Sequence, residues 1–255
     1  MPAVFFGHGS PTNALETNPN TQTWEQIARA IGTPMAILSI SAHWYTSGTA
    51  VTAMAAPKTI HDFGRSLPAP LFDIQYPAPG DPELARRVQE FLKPIDVALD
   101  EAWGLDHGTW SVLLKAYPKA DIPVVQLSID ATKPASWHFD VGRRLRPLRN
   151  EGVLIMGTGN VVHNLMMMDW DPRSKPYDWA ERFNDRVQEA ILDDKPERLF
   201  DYQALGRDAV LSVPSADHFL PLFYVLGARH EDDTVTIDPS HVQHKSLSMM
   251  SALFA

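Results

Sequence analysis

The chain has 255 residues, 44% of them hydrophobic, enough to bury a substantial core in one or two domains. Its formal net charge of -9 argues against a nucleic-acid surface, and the absence of cysteine excludes disulfides, thiolate zinc sites, iron–sulfur clusters and cysteine nucleophiles. Any metal must therefore be held by nitrogen and oxygen ligands. The 21 prolines are scattered, with no Gly/Ser tract and no internal repeat, so one domain over residues 1–255 is expected. The start, "MPAVFF", carries no basic segment followed by a long apolar stretch, and no window approaches the roughly 18 apolar residues of a membrane span. These features predict a cytoplasmic protein with neither a membrane nor a nucleic-acid partner.

In chain order, "AVFFG" (3–7) reads as a first strand, closed by the turn "GHGSP". "NTQTWEQIARAIG" (20–32) reads as a helix with Trp24, Ile27, Ala28 and Ile31 on one stripe and Gly32 as its stop. "MAILSIS" (35–41) is a second strand. "GDPELARRVQEFLK" (80–93) is a helix with Asp81 as N-cap, Pro82 at the first helical position and Glu83 in the first turn. "IPVVQLSI" (122–129) and "GVLIMGTG" (152–159) are further strands, separated by the basic run "GRRLRPLR" (142–149), which reads as a solvated helix face. The Met166–Met168 run reads as core or pocket lining, and "MDWDPRSKPYDW" (168–179) as a loop on the surface or at a pocket border. "YDWAERFNDRVQEAIL" (177–192) is a helix with Asp178 and Glu181 in capping-box spacing and Phe183, Val187 and Ile191 four apart. The strands are continuous apolar runs, as in sheets covered on both faces. Their alternation with helices predicts an α/β fold, a central mostly parallel sheet flanked by helices.

Five of the ten histidines share a context of small or turn-forming neighbours: His8 in "FGHGSP", His43 in "SAHW", His107 in "LDHGTW", His163 in "GTGNVVHN" and His218 in "SADHFLPL". Taken singly, a histidine is more often a hydrogen-bonded structural residue than a ligand. Here, however, His8, His43 and His163 lie at or just beyond the C-terminal ends of expected strands, the edge where open α/β sheets build ligand sites. Three neutral imidazoles would leave a metal with an open position. Without cysteine, the metals that fit are catalytic zinc, non-haem Fe(II) or manganese. His61 in "TIHDFG" stands beside an acid, whereas His138, His230, His241 and His244 read as structural or exposed. There is no HExxH, no GxSxG elbow and no Walker loop, and "GTGN" (157–160) lacks the third glycine of a dinucleotide fingerprint.

The ordered set "FFGHGSP", "SAHW", "IHDFG…FDIQYPAPG", "LDHGTW", "GTGNVVHNL" and "SADHFLPL", with "SLSM" (246–249) near the end, resembles the class III extradiol ring-cleavage dioxygenases, closest to their DOPA 4,5-dioxygenase-like branch. The resemblance runs from residue 4 to about 225. It implies that His8, His43 and His218 hold a divalent metal at the strand C-terminal edge. His163 would be the acid/base residue, and His107 would lie beside the ligands or against the substrate. It further implies Fe(II) for activity, with Zn(II) also able to occupy the site. A small-molecule catechol and O2 would be the substrates and a semialdehyde the product. The "HDFGRSLP" loop would place His61, Asp62 and Arg65 at the substrate. Arg65, in a segment that departs from the family's glycine- and aromatic-containing loop, either pairs with a substrate carboxylate or faces solvent. Two other readings stand beside this one. A zinc-dependent hydrolase could use the same three histidines, with His163 as general base; a binding protein could retain the scaffold without its catalysis.

Overall fold

The computed structural model describes residues 1–171 and 173–255; Pro172, within the expected 168–179 loop, lies outside the described residues. The first strand, β1 (Ala3–Gly7), is buried at every residue. Helix α1 (Pro19–Ile31) opens with a capping box in which the Thr21 N–H donates to the Asn18 side chain and the Asn18 N–H donates to Thr21 Oγ1. Trp24, Ile27 and Ala28 are buried on its inner stripe, and Gly32 ends it at a φ of 81°. Then come β2 (Ala36–Thr46) and β3 (Thr49–Thr52). Helix α2 (Pro82–Leu92) starts on Asp81, whose carboxylate accepts from the Glu83 and Leu84 N–H groups, as the sequence led us to expect.

The next elements are β4 (Val97–Asp100), α3 (His107–Ala116), β5 (Val124–Asp130), α4 (Ala135–Leu145) and β6 (Val153–Gly159). Helix α5 (Asp178–Leu192) buries Phe183, Val187 and Ile191. Asp178 is not its cap. Tyr177 holds that position without a side-chain bond, and Asp178 and Glu181 put negative charge in the first turn, where it favours the helix dipole. The chain ends with α6 (Arg207–Ser212), α7 (Pro221–Ala228), β7 (Val235–Ile237), β8 (Val242–Gln243), β9 (Leu247–Ser248) and β10 (Ala252–Phe254).

Eight strands form one sheet in the order β4-β3-β5-β2-β6-β1-β10-β7, and β8 pairs with β9 in a separate ribbon. The central strands β5, β2, β6 and β1 are mutually parallel, while β3 and β10 run antiparallel to β5 and β1. Burial on both faces explains the unbroken apolar runs. Val4, Phe6 and Ile37 pack with Trp24 and Trp110 of α1 and α3, whereas Phe5, Leu38 and Ile40 belong to the larger core shared with α2, α4, α5 and α7. The architecture is α/β, and its parallel centre brings the C-terminal ends of β1, β2 and β6 to one edge.

The 142–149 run is not a uniformly solvated face. Arg143 and Arg144 are exposed, but Arg149 is buried, forms a bidentate pair with Asp233 at 2.6 and 2.8 Å, and donates to the carbonyls of Met1, Ala228 and Phe254. Among the described residues, no helix is long and apolar enough to cross a membrane.

Candidate active site

His8 follows β1 directly, and its N–H donates to the Gly159 carbonyl at 3.1 Å, extending the β1–β6 pairing by one residue. His43 lies near the end of β2 within an irregular stretch, since the register against β5 shifts between Ile40 and Tyr45. Such a bulge re-aims a side chain. His107 is the first residue of α3, whose N-cap, Asp106, accepts from the Thr109 N–H. His163 lies four residues past β6, anchored by its N–H to the Ser212 carbonyl at 2.8 Å and bridged to Leu247. His218 precedes α7, and its carbonyl accepts from the Asn160 N–H at 2.9 Å. Two glycines permit this crowding. A Cβ on Gly159 would overlap the His218 carbonyl oxygen, and one on Gly108 would stand 2.8 Å from His43 Cδ2.

The five imidazoles meet in one place. The Nε2 atoms of His8 and His43 are 3.3 Å apart. The rings of His8, His43 and His218 form a nearly equilateral triangle, with centroids 5.1, 5.3 and 5.0 Å apart. Three imidazole nitrogens ~2.1 Å from a common centre at tetrahedral angles would lie about 3.4 Å apart, with ring centroids about 5 Å apart, which the ring spacing of this triangle matches. The atoms that close within 4.8 Å of one another are, however, those of His8, His43 and His107. His107, expected beside the ligands, thus lies in the tightest group of nitrogens, its ring 3.8 Å from that of His43. His163 stacks on His218 at 3.5 Å, nearly parallel.

Carboxylates stand behind these rings. Asp62 Oδ2 lies 3.4 Å from His43 Nδ1 and 3.0 Å from His107 Nδ1, while its Oδ1 accepts from the His107 backbone N–H at 2.9 Å. Asp217 Oδ2 lies 3.0 Å from His218 Nδ1. A carboxylate at Nδ1 holds the proton there and leaves Nε2 as a bare lone pair, the form a metal requires. Burial, reinforced by the neighbouring imidazoles, pushes His8 and His43 well below the ordinary histidine range, and so keeps them neutral. Burial and the nearby His218 push His163 down to about 2. Burial pulls Asp62 upward, but the hydrogen bonds and charge of His107 outweigh it and hold the carboxyl low. Asp106 goes the other way: burial, then the charge of Asp62, raise it to about 6 against its bonds from Ser41 and Gln126.

The imidazoles form the floor of a cavity of about 250 Å³ walled by Phe63, Leu67, Leu165, Met168, Trp170 and Leu247. None of the three residues expected at the substrate is among those lining it. His61 Nε2 contacts the Ile74 carbonyl at 2.9 Å among Phe63, Phe72 and Trp110; Asp62 is turned to His43 and His107; Arg65 is exposed on its loop. Met168 lines the cavity, but Met166 is exposed rather than in the core. Sequence reasoning missed Asp217; of the apolar wall it offered Met168 and the 168–179 loop as pocket-border alternatives, and Met168 and Trp170 do line the cavity. The "DH" pair at 217–218 was a usable signal for Asp217; nothing local announced Leu247 as part of the wall.

A mostly parallel α/β sheet that gathers five histidines and their carboxylates under an apolar cavity defines a metal-dependent enzyme framework. The catalytic LigB subunit of aromatic ring-opening dioxygenase matches residues 2–255, and the chain belongs to this family of class III extradiol dioxygenases. It is 51% identical to the 4,5-DOPA dioxygenase extradiol of Escherichia coli K12 over 98% of this chain and 93% of that protein. It is 36% identical to the enzyme of the same name from Portulaca grandiflora, over 99% of this chain and 95% of the relative. A crystal structure of an uncharacterized Escherichia coli K12 protein matches with a TM-score of 0.87 at 45% identity, covering 100% of both chains. The protein is thus an enzyme of the extradiol ring-cleavage type.

Proposed function

We propose that residues 1–255 form one catalytic domain, a cytoplasmic Fe(II)-dependent dioxygenase that opens a catechol ring outside its two hydroxyls to a semialdehyde, both atoms of O2 entering the product. The observation that carries the reading is the nearly equilateral triangle of His8, His43 and His218 rings, with the first two Nε2 atoms 3.3 Å apart, beneath a cavity of about 250 Å³, roomy enough for a substituted aromatic ring. His8, His43 and His218 would hold the metal, and His107, sharing Asp62 with His43, would stand beside them. Bound Fe(II) supplies a redox-active centre that brings a catecholate and O2 together, whereas zinc in the same place has no redox chemistry to offer.

The chain's own groups do the rest. His163, stacked on His218 at the cavity wall, is held neutral by burial; the negative charge of a bound catecholate beside it would raise its basicity, so that it takes a phenolic proton and returns it after ring opening. Phe63, Leu67 and Leu247 hold the ring and exclude water from the opened product. Anaerobic loading with Fe(II), followed by a catechol and O2, tests the reading through oxygen uptake and visible absorbance together. Stoichiometric uptake with a coloured product is expected. Metal bound at one per chain without uptake would overturn ring cleavage in favour of a zinc hydrolase. His8→Ala, His43→Ala and His218→Ala should each lose metal; His163→Ala should keep it and lose turnover.

A further inference from the structure

Resting on the assignment of His43 as a metal ligand, we propose that Asp106 is a positioning residue: through Ser41 it aims His43, and through the start of α3 it sets His107. The other two expected ligands are fixed differently. His8 donates its N–H to the Gly159 carbonyl, and the His218 carbonyl accepts from the Asn160 N–H, so main-chain bonds hold both against the end of β6. His43 instead lies in the stretch where the β2–β5 register breaks, between Ile40 and Tyr45. A bulged residue loses its ladder partner, and a buried N–H left without one costs as much as a lost hydrogen bond. Here the N–H of His43 donates to Ser41 Oγ at 3.3 Å. Ser41 in turn donates its hydroxyl to Asp106 Oδ1 at 2.6 Å.

Asp106 is fully buried and is absent from the cavity lining. Besides Ser41, its donors are the Thr109 N–H at 3.2 Å and the Gln126 amide, all of them neutral. Gln126 also accepts from the Asp106 N–H at 3.4 Å and from the Thr109 hydroxyl at 3.1 Å. Ser41 belongs to β2, Thr109 to α3 and Gln126 to β5, so one carboxylate ties three elements together beneath His43 and His107. A carboxylate without a cation is costly to bury, and a serine or threonine would suffice to cap α3. Reaching Ser41 and Thr109 with one oxygen and Gln126 with the other takes an aspartate. The fit is close: a Cβ on Gly108 would stand 2.5 Å from Ser41 Oγ and 2.8 Å from His43 Cδ2, so α3 rests directly on the bulge. Asp62 holds the same two histidines at their ring Nδ1 atoms, whereas Asp106 holds their main chains. Site side chains need support of this kind to stay within about 0.5 Å of a working geometry.

The test adds Co(II) to the metal-stripped protein, because the visible spectrum of the bound ion reports its ligand geometry without any turnover. Ser41→Ala removes the link, and Asp106→Ser keeps a cap for α3 while withdrawing the oxygen from Ser41. Each should weaken Co(II) binding about tenfold in competition with a chelator and alter the spectrum. The double variant should bind no more than about twofold more weakly than the weaker single one, since both cut one chain of bonds. Ser111→Ala deletes another buried hydroxyl of α3, one without a partner, and should leave affinity and spectrum unchanged. Parent-like binding in Ser41→Ala and Asp106→Ser, losses that multiply in the double variant, or an equal loss in Ser111→Ala would overturn the proposal. His43→Ala separates the two readings. Parent-like binding in that variant would sink the ligand assignment and the proposal with it. Lost binding there, beside a parent-like Ser41→Ala, would sink the proposal alone.

Discussion

Asp62 links two histidines that are far from it in the sequence, through one carboxylate oxygen, and fixes the backbone of His107 through the other. A negative carboxylate at Nδ1 settles which tautomer His43 adopts and keeps the opposite nitrogen basic. Orienting partners of this kind typically contribute 10- to 100-fold to metal affinity. Asp62→Asn preserves the shape but removes the charge and presents an NH2 group to at least one ring. Its metal affinity, measured by competition with a chelator, should fall about 10- to 100-fold while the thermal midpoint of the metal-free protein stays close to that of the parent. Unchanged affinity would show that Asp62 has no such role. The histidines themselves were legible because an imidazole beside glycine, serine or proline in a strand-end turn has little structural reason to be there. Asp62 was legible as an acid near the site but not in its role, because its partners come from β2 and α3 and only the folded chain brings them together.

At the scale of elements, the same turns that carry the histidines also hold the elements against one another. The end of β6 meets the segment before α7 so closely that the Gly159 position has no room for a methyl group beside the His218 carbonyl. Gly159→Ala must push back main chain rather than a flexible side chain. It is expected to destabilise by about 1–3 kcal/mol in denaturant unfolding and to lower metal content, because His218 moves with its backbone. Full metal occupancy with unchanged stability would contradict this packing. The central strands were readable as unbroken apolar runs because both faces are buried. Helix α7, "PLFYVLGA", is buried at every residue and so has no polar face to reveal a helical period. Strands β7 to β10 span only two or three residues each, too few for any alternation to register, and β10 joins the sheet through pairing with β1 at the opposite end of the sequence.

Across the whole molecule, two buried basic side chains, one charged and one held neutral, tie distant parts together, and the role of neither was visible in the sequence. Arg149 joins the first residue to Phe254 and pairs with Asp233, yet it sits in a run whose neighbours are solvated. Arg149→Met strands a buried carboxylate and frees three carbonyls, so unfolding free energy should drop by about 3–5 kcal/mol in denaturant titrations. A loss below about 1 kcal/mol would mean that Asp233 finds water instead. His138 makes the opposite demand. It is fully buried in α4, with Nδ1 2.9 Å from the Tyr224 hydroxyl, and burial lowers it to about 4 despite the upward pull of the Lys133 carbonyl and Asp130. The unfolded chain takes up this proton near the ordinary histidine value of 6.5, whereas the folded chain resists until about 4. The stabilisation from His138 is therefore complete above pH 6.5, declines as pH falls through that value, and has gone by about pH 4. Its full size, from the 1.36 kcal/mol carried by each pKa unit, is about 3 kcal/mol. Both proteins stripped of metal with EDTA, the fall in unfolding free energy between pH 7 and pH 4.5 should be about 2–3 kcal/mol smaller in His138→Gln than in the parent. Parallel pH profiles would show that the imidazole is not held neutral by its place under α7. The site histidines remain in both proteins, so their own titration cancels in the difference.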